Sequence, residues 1–313
     1  MILTLAGGVG AARFLDGLTR VVPPGEVYVI GNTGDDTEIY GLHISPDLDT
    51  VVYTLAGLAN PVEAWGIHND TFQSLGALGK LGEEVWFQLG DRDLATHIFR
   101  TSQLRSGTRL SAVTAQIAKK LGVRSSIVPM SDDPVRTIVQ TSRGKLAFQT
   151  YFVRRRAKDR VLGVTFEGAP ESRPAPGILK AIRGADGIIF CPSNPLISVG
   201  PILAVPGIRK AIAGRKCPSA AISPIVGGRA IKGPAAQMMK TMGMEVSALG
   251  VARIYQGLVD VLVIDKVDAS LAPAIERLGV RTVVTNTIMT GTREKKALAR
   301  TVVKALGNSG SPP

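Results

Sequence analysis

Short apolar runs and longer amphipathic stretches alternate along the chain. The apolar runs predict buried strands at 2–6, 26–30, 187–190, 220–223, 259–264 and 282–284. Periodic apolar positions after most of these runs predict helices, the first ending at about residue 20 and the second covering 50–59. Strands that alternate with helices in this way pair in parallel. We therefore predict an α/β fold with a Rossmann-like, doubly wound, mainly parallel sheet.

Between the two halves of this sheet the pattern changes twice. Residues 61–124 are mainly helical, with Asp91 near the start of one predicted helix and Ser111 as the predicted cap of another. Residues 125–175 hold short β-type runs, and those at 137–140 and 146–149 predict a hairpin. We predict one domain over 1–313, with a core at 1–60 and 176–307, a helical insertion, a small β-rich segment, and a frayed tail at 308–313.

A glycine-rich turn joins the first strand to the first helix. Gly7, Gly8 and Gly10 carry no side chains, so backbone N–H groups and the positive helix end can approach an anion closely. Arg13 can add a guanidinium fork for phosphate oxygens. It also stands where a dinucleotide fingerprint has its third glycine, and Asn32 stands where a ribose-binding carboxylate is expected. The turn therefore predicts a phosphate site and disfavours a nicotinamide cofactor, with a plain strand-to-helix turn as the alternative.

Carboxylates gather in the loops that follow the second strand. Asp35 and Asp36 end one run, and Asp47 and Asp49 follow shortly after it. Any one of them could be a turn former or a helix cap. Carboxylates beside a bound phosphate repel it unless a hard cation lies between them, and one or two carboxylates with phosphate oxygens are typical of Mg²⁺ sites. As a group they predict Mg²⁺ ligation.

The carboxyl ends of parallel strands meet at one edge of the sheet, where ligands bind. The predicted loops at that edge lie around Gly8, Asp35, Ser193 and Pro224. Ser193 and Asn194 offer a hydroxyl and an amide to a phosphate or ribose, although a plain proline turn would use the same residues. Trp86 lies in the helical insertion, where the default is core packing, and would wall an aromatic ligand if the insertion covers the cleft.

The composition of the chain narrows the classes of binding partner that we expect. The 313 residues are 45% apolar with a net charge of +12, which suits nucleic acid, a membrane surface or anionic small molecules. Aromatic residues make up only 5% of the chain, too few for extensive base stacking. We therefore expect anionic small molecules and no nucleic acid, and interpret the basic run at 154–156 as a solvated hairpin edge.

Apolar stretches fall short of the roughly 20 residues of a membrane span, so we predict a cytoplasmic protein without membrane contact. Cys191 and Cys217 are predicted to be buried thiols.

Six stretches, in order along the chain, resemble the 2-phospho-L-lactate transferase family, CofD, called FbiA in some bacteria. They are GGVGAARFL at 7–15, GNTGDD at 31–36, PDLDT at 46–50, WFQLGDRD at 86–93, PSNP at 192–195 with SVGPIL at 198–203, and SPIVGG at 223–228. The likeness covers nearly the whole chain and is therefore more specific than a single glycine loop. Only the stretch at 125–175 and the last fifty or so residues lack such a motif.

The resemblance implies a Mg²⁺-dependent transferase of the EC 2.7.8 type that forms a homodimer. It would move a 2-phospho-L-lactate or phosphoenolpyruvate-type group from a guanosine diphosphate-linked donor (LPPG or EPPG) to the ribityl hydroxyl of the deazaflavin Fo. GMP would be released, on the route to coenzyme F-420. Lactate, enolpyruvate and glycerate all stay open as the three-carbon acid.

The resemblance also assigns residues. Asp36 and Asp49 match the metal-binding acids, with Asp35 and Asp47 as close alternatives, and a neighbouring aspartate would help deprotonate the hydroxyl. The deazaflavin would contact Asp49, Trp86 and Arg92. The donor nucleotide and phosphates would bind Gly8, Gly10, Arg13, Ser193 and Asn194. The implied catalytic residues are Asp36, Asp49 and Arg92.

A sister group of this fold, the YvcK-like sugar-nucleotide-binding regulators, shares the first glycine loop and a paired-aspartate loop. The motifs at 46–49 and 90–93 distinguish the present chain from that group. A regulatory binding protein of this kind is the alternative function.

Overall fold

The computed structural model describes residues 1–63 and 65–307, and the tail predicted at 308–313 lies outside the described residues. The strands are β1 (Ile2–Ala6), β2 (Val27–Gly31), β3 (Thr37–Ile39), β4 (Leu42–Ile44), β5 (Ser126–Pro129), β6 (Arg136–Thr141), β7 (Gly144–Ala147), β8 (Val161–Glu167), β9 (Gly187–Phe190), β10 (Ser219–Ile222), β11 (Ile225–Val226), β12 (Arg229–Ala230), β13 (Val261–Asp265) and β14 (Arg281–Thr285). The helices are α1 (Gly8–Leu18), α2 (Pro46–Leu55), α3 (Gln73–Lys80), α4 (Asp91–Arg105), α5 (Leu110–Lys120), α6 (Ile178–Arg183), α7 (Gly200–Ala204), α8 (Ile208–Ala213), α9 (Ala235–Thr241), α10 (Ala248–Tyr255), α11 (Ala272–Glu276) and α12 (Thr292–Gly307).

Seven parallel strands form the central sheet in the order β14-β13-β10-β9-β1-β2-β5. From β1 the chain first builds outward through β2 and β5, then returns to the other side of β1 and builds outward through β9, β10, β13 and β14. The predicted Rossmann-like α/β fold is confirmed. The direction of winding reverses between β1 and β9, and in such sheets the ligand crevice lies outside the carboxyl ends of the strands at this point.

Side chains from alternate strand positions pack against helices on the two faces of the sheet. Leu5 of β1 belongs to one buried cluster together with Ile178 of α6 and Ile208 of α8. Ile189 of β9 belongs to the other, together with Phe14 of α1. Strands buried on both faces read as nearly continuous apolar runs, which is why the sequence pattern located them.

Several elements differ from the sequence prediction, and three of the differences have a clear physical reason. β5 was assigned to the β-rich segment but pairs with β2 as an edge strand of the central sheet, a long-range contact that local pattern does not encode. α2 begins at Pro46 rather than residue 50, because proline fits the first helical position and needs no donor there. α5 begins at Leu110, one residue before Ser111, whose N–H and hydroxyl bind Asp132 instead of capping the helix.

The predicted hairpin is confirmed as β6 and β7, and β8 pairs with the other side of β6. The helices α3, α4 and α5 occupy the predicted helical insertion. Within residues 1–63 and 65–307, every helix is too short or too polar for a bilayer span.

Candidate active site

The turn after β1 leads directly into α1 at the point where the winding reverses. Gly8 has a φ of +71°, a left-handed conformation that a side chain would strain. A Cβ on Gly10 would lie 2.1 Å from the carbonyl oxygen of Pro192. The N–H of Gly7 donates to Oγ of Ser193 over 3.4 Å. The loops after β1 and β9 therefore touch, as the sequence predicted, and this contact requires glycine at position 10.

Asp47 belongs to the first turn of α2, and its carboxylate lies against the N-terminus of α1. Its carboxylate accepts hydrogen bonds from the backbone N–H of Gly8 and from Nδ2 of Asn32, the latter at 2.9 Å. A Cβ on Gly7 would lie 2.7 Å from Oδ2 of Asp47, so the missing side chain makes room for the carboxylate. The anion at this helix end is one of the protein's own side chains, in the position where the sequence predicted a ligand phosphate.

Asn32 binds Asp35, and Ser45 and His43 bind Asp36. Nδ2 of Asn32 donates to Oδ1 of Asp35 at 3.0 Å as well as to Asp47, and thereby bridges the two loops. Oδ2 of Asp36 accepts from Oγ of Ser45 at 2.8 Å and lies 3.0 Å from Nε2 of His43. Oδ1 of Asp36 is buried and has no partner among the described residues.

Burial dominates the electrostatics of this acidic group. It raises the pKa of Asp47 to about 7, although hydrogen bonds from Asn32 and Gly8 act against it. It also raises the pKa of Asp35 well above its usual range, and the nearby charges of Asp47 and Asp36 raise it further. The carboxylates of Asp35 and Asp47 therefore lack enough positive charge around them to stay ionised at low cost.

Asp49 belongs to a second buried network, centred on α4. The guanidinium of Arg100 donates to both oxygens of the Asp49 carboxylate. Nη1 donates to Oδ2 at 3.0 Å, and Nη2 donates to Oδ1. His97 lies between Asp49 and Asp93, with Nδ1 3.7 Å from Oδ2 of Asp49 and Nε2 3.2 Å from Oδ1 of Asp93. The hydroxyl of Tyr53 donates to Asp93 at 2.6 Å. Burial alone would lower the pKa of Arg100, but the charge of Asp49, the hydrogen bond to it and the charge of Asp36 together raise the pKa.

The contacts of three other predicted residues do not include the acidic group. Arg92 is exposed in the first turn of α4, and its guanidinium donates to the carbonyl of His68 at 3.1 Å. Arg13 lies half-buried on α1 and forms no ion pair with the described residues. Asn194 has a structural task, because its side chain accepts the N–H of Leu196 at 2.9 Å.

Trp86 lies half-buried in the loop between α3 and α4. Its ring meets Phe87 edge-on with centroids 5.6 Å apart. The guanidinium of Arg154 lies 6.0 Å from the centroid of the same ring and also pairs with Glu84 at 2.7 Å. The β-rich segment thus holds the Trp86 loop.

The acidic group fits a hard divalent cation better at Asp36 than at Asp49. Within residues 1–63 and 65–307, no three His, Cys, Asp or Glu side chains are already arranged as a complete metal site. Asp36 nevertheless has a buried oxygen without a partner among the described residues, and its charge raises the pKa of both Asp35 and Asp47. Both oxygens of Asp49 already bind Arg100. Carboxylate oxygens short of positive charge are the ligands that Mg²⁺ uses.

Sequence reasoning missed Asn32 as the bridge and Arg100 as the partner of Asp49. The spacing of Asp93, His97 and Arg100, four and then three residues, places polar side chains on one face of α4. That face packs against α2, and the spacing was the available signal. His97, on the same face, is buried between two carboxylates.

Comparisons with known proteins identify a family and relatives of this chain. A family model described as 2-phospho-L-lactate transferase CofD matches residues 2–303. A 2-phospho-L-lactate transferase from Methanosarcina acetivorans is 41% identical over 96% of this chain and 98% of its own length. A phosphoenolpyruvate transferase from Streptomyces griseus is 45% identical over 96% of both chains. A solved structure of a UPF0052 family protein from Bacillus halodurans superposes with a TM-score of 0.63 at 18% identity, covering 96% of this chain and 98% of its own, and shares the fold.

Proposed function

This chain belongs to the CofD family of 2-phospho-L-lactate transferases, and we propose that it joins a phosphorylated three-carbon acid to the deazaflavin Fo. The donor would be the acid linked to guanosine diphosphate, the acceptor the ribityl hydroxyl of Fo, and the leaving group GMP. The product would be an intermediate on the route to coenzyme F-420. Relatives named for 2-phospho-L-lactate and for phosphoenolpyruvate leave either acid open as the group transferred.

One observation carries the proposal. The buried acidic group of Asp35, Asp36 and Asp47 faces the glycine turn at the reversal point of the sheet. Transfer of a substituted phosphate group requires a cleft in which donor phosphates, a charge-neutralising cation and an acceptor hydroxyl can meet.

The reaction is a substitution at phosphorus. The oxygen of the acceptor hydroxyl forms a bond to the phosphorus that carries the acid, and the bond from that phosphorus to the oxygen of GMP breaks. The hydroxyl proton passes to a carboxylate of the acidic group, and the charge that develops on GMP is stabilised by the N–H groups at the start of α1 and by Arg13. Mg²⁺, when bound, would neutralise the phosphate oxygens against the aspartates.

Asp36 is the proposed principal metal ligand, with Asp35 and Asp47 beside it. Donor phosphates at the N-terminus of α1 would share that position with the Asp47 carboxylate, so a cation between them would relieve the repulsion. Asp49, held by Arg100, would orient the deazaflavin side of the cleft, and Trp86 and Arg92 would flank the ring. Ser193 would contact the donor from the facing loop. The homodimer and the cytoplasmic location remain predictions.

The test is direct. Purified protein is incubated with Fo, Mg²⁺ and each guanylylated acid in turn, those of lactate, enolpyruvate and glycerate, and the deazaflavin product and GMP are measured by mass spectrometry. We expect one donor to give both products in equal amounts, and Asp36→Asn to lower the rate by at least about a hundredfold. Glu276→Gln, an exposed change on α11, is the matched control and should keep the wild-type rate. Failure of all three donors, with Fo and Mg²⁺ present, would contradict the proposal.

A further inference from the structure

A strongly basic depression opens at the end of the β-rich segment. It has a volume of about 690 Å³, and we call it the basic groove. Its cationic lining residues are Arg143, Arg154, Arg155, Arg156, Lys158 and Arg160. The glycine turn and the acidic group do not contribute to its lining. The groove is therefore a separate feature from the candidate active site.

Only part of this charge is neutralised within the protein. Asp159, the one carboxylate in the lining, binds Arg155 with both oxygens, one of them at 2.8 Å from Nη2, and lies 3.9 Å from Nε of Arg143. Arg154 pairs with Glu84 outside the groove. Three cations remain without a carboxylate partner among the described residues: Arg156, Lys158 and Arg160.

The backbone holds these cations together at a cost. Arg156 and Ala157 both have positive φ values, +53° and +51°, in a region that residues with a side chain rarely adopt. Two such residues in succession strain the backbone. Like charges brought to one depression repel one another as well, and a bound anion with several charges would remove that repulsion. This relief of charge repulsion favours an occupied groove over an empty one.

We propose that the basic groove binds a small molecule that carries two or more phosphate groups. Arginine forks match phosphate oxygens in geometry and charge, and the hydroxyl of Ser142 adds a neutral donor. No aromatic side chain lines the groove, which argues against stacked nucleic-acid bases. This binding site does not depend on the proposed transfer reaction.

Arg154 belongs to the groove and also contacts the Trp86 loop, so the fluorescence of Trp86 can serve as a local signal of binding. The same guanidinium lines the groove, pairs with Glu84 and lies over the ring of Trp86. A phosphate that engages Arg154 would weaken its hold on Glu84 and change the surroundings of Trp86. In a Trp65→Phe background Trp86 is the remaining tryptophan, so its emission reports events beside Arg154. The groove variant described below distinguishes a ligand in the groove from one in the crevice that Trp86 would flank.

The experiment titrates tripolyphosphate into the Trp65→Phe protein at physiological ionic strength, with calorimetry for affinity and tryptophan emission for location. GDP is titrated in parallel. We expect binding accompanied by a change in Trp86 emission. If both ligands bind through the groove, phosphate charge alone is sufficient. If tripolyphosphate does so and GDP does not, the ligand is a free polyphosphate. Calorimetric binding of tripolyphosphate without any change in Trp86 emission would place the ligand elsewhere and overturn the proposal.

Matched variants separate specific binding from bulk charge. The groove variant is Arg156→Gln with Lys158→Gln and Arg160→Gln. The control removes three exposed cations elsewhere: Lys119→Gln, Arg124→Gln and Arg183→Gln. The groove variant should weaken tripolyphosphate binding about tenfold or more, and the control less than about twofold. Lys158→Gln alone serves as a milder change if the triple variant folds poorly. Equal losses in the two triple variants, or tighter binding of a single-stranded oligonucleotide than of tripolyphosphate at the same salt, would contradict the proposal.

Discussion

Arg100 and Asp49 form the most deeply buried ion pair of the site. The guanidinium of Arg100 is 1% exposed, and the Asp49 carboxylate binds it with both oxygens. Removing one partner of such a pair leaves an uncompensated buried charge, which costs about 3–5 kcal/mol, whereas removing both can be nearly neutral. The pair therefore fixes where Asp49 points more than it stabilises the fold.

We predict that Arg100→Met lowers the free energy of unfolding by about 3–5 kcal/mol. Combining it with Asp49→Leu should restore much of the loss, because no unpaired charge remains. Urea unfolding of wild type, the two single variants and the double variant gives the interaction energy of the pair. Simple additivity of the two single losses would show that the ion pair is not the cause.

Asp47 makes stability depend on pH. Its pKa of about 7 in the folded protein lies above the usual value near 3.9 of an unfolded aspartate, because burial disfavours the charged form. Between these values the folded state binds more protons than the unfolded chain. The stabilising contribution of this group is therefore complete at low pH and is lost as the pH rises through about 7.

Asp47→Asn should remove this dependence. Relative to wild type, the variant should gain roughly 1 kcal/mol of unfolding free energy for each pH unit between about pH 5 and 7. Urea unfolding at several pH values in this range, without divalent cations, measures the difference. Glu276→Gln should follow the wild-type profile. A constant difference between Asp47→Asn and wild type would mean that Asp47 does not titrate in this range.

At the scale of elements, the first turn of α1 packs closely against the loop after β9. A Cβ at Gly10 would meet the Pro192 carbonyl oxygen at 2.1 Å, and a backbone group cannot swing aside as a side chain can. Gly25 lies in a surface turn with nothing within 4 Å of an added Cβ. The two glycines therefore make a matched pair.

We predict that Gly10→Ala destabilises the protein by about 2 kcal/mol or more and abolishes donor binding, because the two loops must separate. Gly25→Ala should change stability by less than about 1 kcal/mol and leave donor binding unchanged. Thermal unfolding and calorimetric titration with GDP measure the two effects. Normal GDP affinity in a destabilised Gly10→Ala protein would remove the glycine turn from the donor site.

Elements encoded by local pattern were predictable, and those fixed by distant partners were not. The glycine turn, the buried strands and the β6–β7 hairpin follow from short-range periodicity and turn residues. The role of Asn32 depends on two loops that meet only in the folded chain. The pairing of Arg100 with Asp49 depends on how α4 packs against α2. The acidic residues could be found from sequence, but the partners that set their charge could not.

At the scale of the whole molecule, the sequence predicts that the central sheet is parallel but does not identify every strand that belongs to it. Alternation of strands and helices indicated a parallel sheet, and the sheet is parallel throughout. β5 has the short, mixed pattern of the neighbouring β-rich segment, and only its pairing with β2 reveals it as part of the core. The crevice itself follows from topology, because the reversal between β1 and β9 gathers loops from distant parts of the chain.

The buried acidic group of Asp35, Asp36 and Asp47 predicts that a divalent cation raises the thermal stability of the whole protein. A cation that binds only the folded state raises stability by an amount that grows with its concentration, about 2.7 kcal/mol at one hundred times Kd. For a chain of this length we expect Mg²⁺ at that level to raise Tm by roughly 5 °C, and EDTA to reverse the shift. Differential scanning calorimetry measures this without any substrate.

Variants of the two candidate ligands assign the site. If Asp36 is the principal ligand, Asp36→Asn should lose most of the Mg²⁺-dependent rise in Tm. Asp49→Asn should keep it, because the Asp49 carboxylate already binds Arg100 through both oxygens. The opposite result would make Asp49 the ligand and would mean that Arg100 moves when the cation binds. A rise in Tm that survives in Asp36→Asn, Asp49→Asn and the double variant would place the cation outside this crevice.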